Sequence, residues 1–414
     1  MRHAIMTDRT ASADSLKQRI PAWPQRGPQE EDAVLRVVRS GQWWRGNGKE
    51  ADHFEQEFAA FLGVKHALVT SSGSGALEIA LQALDVRPGD EVIVPACTFI
   101  ATASAVLRIG AWPIPVDVAA DTLCMEPAAV EAAITPRTKC IVPVHMAGHA
   151  VDMDALMAIA AKHGLAVLED AAHAHGATYK GRLLGTIGDA SIFSFQSGKL
   201  MTAGEGGLIA TNRDDVGARL FHLHSCGRPK GDTEYRHEEV AGNWRLSEFQ
   251  SAVLRAQLTR LPEQLEKRRE GIALFNAAMS KVAGVRPLVS DTNATGHSHY
   301  MAMFWFDPDA FGGADAGLIA QRLRKWGIPA FRCFPPVHRT NMFKAAALVQ
   351  VGRVDTAPDY AAMRTPVSEA ASRQVVWFQH PILLGDAELI ADIAGAVADL
   401  GLALAEESDR IDAA

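Results

Sequence analysis

Ala67-Leu68-Val69-Thr70-Ser71-Ser72-Gly73-Ser74-Gly75-Ala76 runs from a short apolar segment, through five small residues, into a helical pattern that lasts to Leu84. The unit repeats down the chain. Apolar segments at Glu91–Pro95, Trp112–Val116, Lys139–Val144 and Leu165–Leu168 read as strands, with helices at Thr98–Leu107, Pro127–Ile134 and Asp154–His163 between them. None of these strands alternates apolar and polar residues, as a sheet with one wet face would. Such strands, separated by helices, predict an α/β fold built on a mostly parallel sheet covered on both faces. Ligands bind such sheets beyond the carboxyl ends of the strands, so the residues just after each strand are the functional candidates.

Upstream, Met1 to Ile20 is polar, reads as loosely ordered and lacks the apolar core of a signal peptide. Pro21-Ala22-Trp23-Pro24 is stiff and aromatic, suited to docking on a surface. Glu30–Arg39 has helical spacing, as do Phe54, Phe58 and Phe61. Between them Trp43 and Trp44 sit in a glycine-bounded loop, as core packing or as a binding surface. Beyond Gly207 the pattern predicts two helices, Leu246–Leu261 and Pro262–Val282. A strand His299–Phe306, a helix Ala314–Trp326, a strand Pro329–Phe331 and a closing helix Asp386–Leu404 follow. The expected organisation is a large α/β domain over 1–265, N-terminal segment included, and a smaller α+β domain over 266–414.

The 414 residues are 48% hydrophobic, enough for one large and one smaller core. The charge, 41 basic minus 48 acidic residues, is −7 with no basic block, which argues against a nucleic-acid partner. No apolar run reaches the ~20 residues of a membrane helix. Five cysteines (Cys97, Cys124, Cys140, Cys226, Cys333) are scattered without metal-type spacing. They read as free thiols in a reducing compartment, the cytoplasm.

At the strand ends, Ser71-Ser72-Gly73-Ser74-Gly75 opens a helix, where free amides and the positive dipole end attract an anion. It is equally a plain N-cap. Phe99, after the next strand, is either core or a stacking platform for a flat ring. Glu169-Asp170-Ala171-Ala172-His173 ends a strand of pure hydrophobes, where a carboxylate is costly unless partnered. Asp170 can meet a protonated pyridine nitrogen; alternatively Asp170, His173, His175 and His145 are metal ligands, although no further cluster supports a metal. Ser194 offers a hydroxyl to a phosphate. Asn243 or Arg245, opening a later helix, can donate to an anion; alternatively Ser247 or Asn243 merely caps that helix.

Ser191-Ile192-Phe193-Ser194-Phe195-Gln196-Ser197-Gly198-Lys199 leads into Thr202-Ala203-Gly204-Glu205-Gly206-Gly207. A lysine between two core strands is either solvated at a loop tip or kept inside, where desolvation favours the neutral amine that attacks an aldehyde. An anion cradle, a stacking ring, an acid for a ring nitrogen and an amine for an aldehyde are together what pyridoxal 5′-phosphate (PLP) requires of a protein.

The Glu169–His173 stretch with the Phe193–Gly207 stretch closely resembles the DegT-type sugar aminotransferases. This resemblance implies fold-type I, with a mostly parallel seven-stranded sheet, and a homodimer with shared active sites. It implies that Lys199 carries PLP as a Schiff base, that Asp170 pairs with the pyridine nitrogen, and that His173 lies by the ring hydroxyl with Phe99 stacked on the ring. Gly73, Ser74 and Ser194 would hold the phosphate, and Asn243 would reach the phosphate in the partner subunit.

Within the family, Gly41–Arg45, Pro143–Gly148, Asp170–Ala177, His224–Pro229 and Ser298–Phe304 resemble 3-amino-5-hydroxybenzoate synthases. Phe306–Gly313, Pro366–Ser372 and Gln379-His380 resemble glutamine-dependent inosose aminotransferases. The implied activity is transfer of an amino group from glutamate or glutamine to a keto-cyclitol or keto-sugar in antibiotic-type biosynthesis. The alternatives are dehydration of an aminated ring to an aromatic amine, and a non-catalytic PLP-binding partner or regulator. Motif position makes Trp43, Trp44, His145, Arg228, Tyr235 and His299 candidates for the substrate pocket.

Overall fold

The computed structural model describes residues 16–290, 293–349 and 356–412. Apolar segments of four or five residues, too short for buried helices, form β1 (His66–Thr70), β2 (Glu91–Pro95), β3 (Trp112–Val116), β4 (Thr138–Ile141) and β5 (Ala166–Asp170). A small hairpin follows, β6 (Thr178–Tyr179) and β7 (Arg182–Leu183), and then β8 (Ala190–Ser194) and β9 (Gly207–Thr211) on either side of Lys199. Seven strands join in the order β1-β9-β8-β5-β4-β2-β3. The pairs from β3 through to β8 are parallel, and only β9 runs against its neighbours. β2, β8 and β9 are buried at every residue, which is why they do not alternate. Phe54, Phe58, Phe193 and Phe195 interlock on one face, with ring centroids between 5.1 and 5.8 Å apart. Leu77, Val92, Ile192 and Leu220 lie in the core on the other.

A second sheet is made of β10 (Val285–Pro287), β12 (Met301–Phe306), β13 (Ala330–Arg332) and β14 (Val375–Gln379), antiparallel in the order β10-β12-β14-β13, while β11 (Ala294–Gly296) joins the β6–β7 hairpin. Phe275, Phe304, Phe378, Ile319 and Ile390 form its core. β14 is central here yet carries no boundary signal, because the helix Pro366–Gln374 passes into Val375 without an intervening glycine or proline.

Two expectations are corrected. The helices meeting at Pro262 are one, Glu248–Met279. An interior proline costs about 3 kcal/mol, but Leu254, Leu261 and Leu265 are buried in the first core and Phe275 and Met279 in the second. Each buried apolar side chain contributes roughly 1.5–3 kcal/mol, so burial outweighs the break. The helix thus crosses position 265 and joins the two cores. In the N-terminal stretch, Leu16 to Arg19 are helical, and Leu16 and Ile20, one turn apart, pack into the second core; residues 1–15 of the stretch expected to be loose lie outside the described residues.

Close approach of β9 to the loop after β1 depends on Gly207. A Cβ there would stand 2.5 Å from the Ser72 carbonyl and 2.7 Å from the Gly73 nitrogen. Gly207→Ala is expected to destabilise by about 1–3 kcal/mol in urea titrations. Gly395→Ala, in the helix Ala387–Asp412 with nothing within 4 Å of its added carbon, is expected to be neutral or to stabilise by about 0.5–1 kcal/mol.

Candidate active site

The carboxyl ends of β1, β2, β5 and β8 surround a cavity of 380 Å³. Ser72, Gly73 and Ser74 line it after β1, Thr98 and Phe99 after β2, Asp170 and His173 at the end of β5, and Ser194, Gln196 and Lys199 after β8. Tyr300, Met301, Phe334 and Trp377 close it from the second sheet. A larger hollow of 510 Å³ lies between Asp52, Lys65, His66, Asp214 and Phe221. There Lys65 and His66 are already paired with Asp214, and both lysines lining it, Lys65 and Lys230, are exposed. The smaller cavity is where reactive groups converge.

Glu169 and Asp170 are neighbours on β5 and therefore face opposite sides of the sheet. The Glu169 carboxylate turns away from the cavity. It accepts the amides of Gly185, Ile187 and Gly188 at 2.8, 2.6 and 2.7 Å and lies 3.0 Å from His145 Nε2. Burial pushes its pKa up, but His145 and these amides outweigh that and hold it below the usual carboxylate range. Asp170 faces the cavity. Its Oδ2 accepts the Thr102 hydroxyl at 2.9 Å, and its Oδ1 accepts the Ala172 amide at 3.2 Å. Burial raises its pKa despite both bonds.

His173 is 4% exposed and stacks on Tyr300, ring centroids 4.4 Å apart. Its Nδ1 accepts the Ala147 amide at 3.3 Å, so Nε2 carries the proton in the neutral ring. Burial, helped by the charge of Lys199, keeps its pKa well below the ordinary value. Phe99 is 53% exposed and meets Phe334 edge-on at 6.1 Å; it lines the cavity with a free face and is not core. The Ser72 hydroxyl caps the helix Gly73–Ala83 by accepting the Gly75 amide at 3.0 Å. The serine is therefore a cap, and the amides of Gly73 and Ser74 are the ones that helix geometry leaves without an intrahelical acceptor.

Lys199 enters the cavity from the turn after β8, where its amide donates to the Gln196 carbonyl at 2.8 Å. The Nζ sits 4.4 Å above the centre of the Tyr300 ring. Burial lowers its pKa to about 8, and Asp170 opposes the shift.

The residues expected from motif position do not line this cavity within one chain. Trp43 and Trp44 are 53% and 54% exposed, and Trp43 leans on Phe249 at 5.6 Å. His145 is sealed against Glu169. Arg228 holds Asp232 at 3.0 Å and stacks over the exposed Tyr235 at 4.7 Å. Asn243 is exposed and accepts the Arg245 amide at 3.3 Å. His299, at φ 54, stacks on His297 at 4.1 Å; this turn sends its neighbour Tyr300 into the cavity instead. His175 is buried between Phe193 and Phe195. Among the described residues no group of three or more histidines, cysteines and acids is placed to hold a metal. Thr102, Tyr300, Phe334 and Trp377 escape sequence reasoning. Of the lining residues not singled out, Gln196, Glu205, Tyr300 and Met301 at least stand within quoted motifs; Thr102, Phe334 and Trp377 do not.

Residues 24–396 match the DegT/DnrJ/EryC1/StrS aminotransferase family. The chain is 46% identical over 384 residues to a 3-amino-5-hydroxybenzoate synthase of Amycolatopsis mediterranei, covering 91% of this chain and 97% of that protein. It is 38% identical over 396 residues to an L-glutamine:2-deoxy-scyllo-inosose aminotransferase of Streptoalloteichus tenebrarius, covering 91% and 93%. A crystal structure of 3-amino-5-hydroxybenzoic acid synthase superposes with a TM-score of 0.86 at 44% identity, covering 93% of this chain and 99% of the other. With the sheet described above, this is the fold-type I architecture of PLP-dependent aminotransferases.

The amine is reactive only without its proton, so reductive methylation of Lys199 in cofactor-free protein should rise with pH through about 8, not near the ~10.4 of a free lysine. Asp170→Asn removes the carboxylate that favours the ammonium and should move the midpoint to lower pH. Peptide mass spectrometry across a pH series reads both; a midpoint above pH ~10 contradicts the burial argument.

Proposed function

The chain belongs to the DegT/DnrJ/EryC1/StrS aminotransferase family, and from that premise we propose that it moves an amino group from glutamate or glutamine to a ketone on a cyclitol or sugar ring, with PLP as cofactor, in secondary-metabolite biosynthesis. The observation that carries this is the pairing of the Lys199 amine, its pKa lowered to about 8, with the Asp170 carboxylate in one cavity at the strand ends.

The donor set suits the cofactor. Gly73 and Ser74 at the start of a helix, with the Ser194 hydroxyl beside them, suit its phosphate. The cradle depends on glycine, since a Cβ at Gly73 would lie 2.9 Å from the Ser194 Cβ. Asp170 suits the pyridine nitrogen, Phe99 the ring face, and His173 the ring hydroxyl.

Bound there, PLP supplies an electron sink for the carbanion formed when a proton leaves the amine-bearing carbon. The chain supplies the proton traffic. With a pKa near neutrality, Lys199 can both accept and return that proton. Asp170, oriented by Thr102 and the Ala172 amide, holds a positive ring nitrogen in place by a charge-assisted bond. Gln196 and Glu205, exposed at the rim, offer hydrogen-bond partners to an acceptor rich in hydroxyls.

Glutamate and glutamine both carry an α-carboxylate, yet among the described residues the only lysine or arginine lining the cavity is Lys199. A homodimer with shared sites resolves this, with a second copy bringing its Arg228 and Asn243 loops to the opening. The exposed Trp43, Trp44, Phe99, Tyr235 and Val240 support it as surface that a partner covers. Cysteines held as thiols, not as disulfides, suit the cytoplasm, and no helix among the described residues is long and apolar enough to cross a membrane.

A second reading, loss of water from an aminated ring to give an aromatic amine, is favoured by the 46% identity to the 3-amino-5-hydroxybenzoate synthase. It would use the same base, Lys199, without an amino donor.

Incubation of the purified protein with PLP, glutamine or glutamate, and a panel of keto-cyclitols and keto-sugars, analysed by mass, is expected to give an aminated product. With an aminated keto-cyclitol added to the panel, an aromatic amine absorbing in the ultraviolet and formed from it by loss of water without donor selects the second reading. Lys199→Ala is expected to lower the rate by roughly 10²–10⁴-fold; undiminished conversion contradicts both.

A further inference from the structure

The turn that carries Lys199 is gripped from behind by groups the chemistry above does not use. Trp23 Nε1 donates to the Ser197 carbonyl at 3.1 Å, and His380 Nε2 lies 3.2 Å from the Gly198 carbonyl. These are the two carbonyls immediately before the lysine. Behind them, Arg268 is fully buried, and its Nε and Nη2 reach His380 Nδ1 at 3.3 and 3.1 Å. The Trp23 ring meets His380 edge-on at 4.6 Å and covers the Arg268 guanidinium at 5.0 Å.

The hydrogen-bond roles follow from chemistry. A guanidinium only donates, so His380 Nδ1 must accept. Nε2 then carries the ring proton and must donate to the Gly198 carbonyl. A second proton on the ring would place an N–H against Arg268. Burial, reinforced by the charge of Arg268, holds the His380 pKa well below its ordinary value, so the arrangement persists through the physiological range. Among the described residues Arg268 meets no carboxylate and keeps one nitrogen, Nη1, unpaired. Leaving a buried donor unsatisfied costs stability. A buried cation held in this state in order to fix a histidine is the mark of a positional role, not of a stabilising ion pair.

We infer that Arg268, His380 and Trp23 form a clamp that fixes the 197–198 carbonyls and thereby aims the Lys199 amine, making His380 a positioning residue of the reaction. The clamp draws its parts from three separated regions: the N-terminal segment, the helix that joins the two cores, and the end of β14. Only the complete fold assembles it. Because the two carbonyls belong to the residues adjoining Lys199, a loosened clamp shifts the base and leaves the cavity walls in place. The inference rests on the reading of Lys199 as the base.

The test compares His380→Leu with His380→Gln. Glutamine can accept from Arg268 through its amide oxygen and donate to the Gly198 carbonyl through its amide nitrogen; leucine can do neither. In the PLP-loaded enzyme, His380→Leu is expected to lower kcat about tenfold with KM for the donor little changed, and His380→Gln to recover most of that loss. In cofactor-free protein, amide hydrogen exchange at 197–201 is expected to speed up about tenfold in the leucine variant and to return toward wild type with glutamine. Trp23→Phe keeps an aromatic ring at the position but loses the indole N–H that holds the Ser197 carbonyl; should the leucine variant fail to fold, it is expected to raise exchange at the same amides. Unchanged exchange in Trp23→Phe and in whichever His380 variants fold, or a glutamine variant as impaired as leucine, overturns the clamp. Lys199→Ala with full activity overturns the underlying reading instead, and the exchange measurement stands apart from that outcome.

Discussion

Everything at this site depends on how two adjacent carboxylates at the buried end of β5 are neutralised. Taking an unpartnered carboxylate out of water is costly, and here there are two in succession. The strand settles the matter by geometry, because successive side chains point to opposite faces. Glu169 is spent inward, satisfied by three backbone amides and His145. Asp170 receives one hydroxyl and one amide and opens toward the cavity. One acid therefore stabilises the turn at 185–188, and the other remains available to a ligand and to Lys199.

The same economy of position runs through the rest of the cavity. The central sheet supplies the anion cradle, the acid and the amine from strand ends that lie side by side, while the second sheet closes the space with Tyr300, Phe334 and Trp377. Neither sheet makes the site alone. The helix Glu248–Met279 fixes their relation, since its first half is buried in one core and its last turns in the other. Tyr300 shows the coupling most directly: its ring touches His173 on one side and faces the Lys199 amine.

What was legible in the sequence was whatever depends on local pattern. Buried strands announce themselves as short apolar runs, so β1, β2, β3, β5, β8 and β9 and the residues that follow them were readable, as was the cluster Gly73, Phe99, Asp170, His173, Ser194 and Lys199. What depends on tertiary packing was not. Pro262 looks like a helix boundary, and only burial in two cores explains why the helix continues through it. β14 has no punctuation before it. His145 looked available because Glu169 and Asp170 are indistinguishable until the strand's facing is known. His299 and Tyr300 are neighbours, and the positive φ at His299 decides which of them enters the cavity. Thr102 is the second residue of the helix Ala101–Arg108, with nothing in its surroundings to mark it as the partner of Asp170.

The central claim is that Lys199, among all the lysines of the chain, is the amine that holds the cofactor. The direct measurement is to load the protein with PLP, reduce it with borohydride, digest it and locate the modified residue by peptide mass spectrometry. The account predicts a single modified peptide, the one containing Lys199, with the modification absent when Asp170 and Lys199 are both replaced. Modification spread over surface lysines such as Lys139 or Lys267, with Lys199 unmodified, would contradict it.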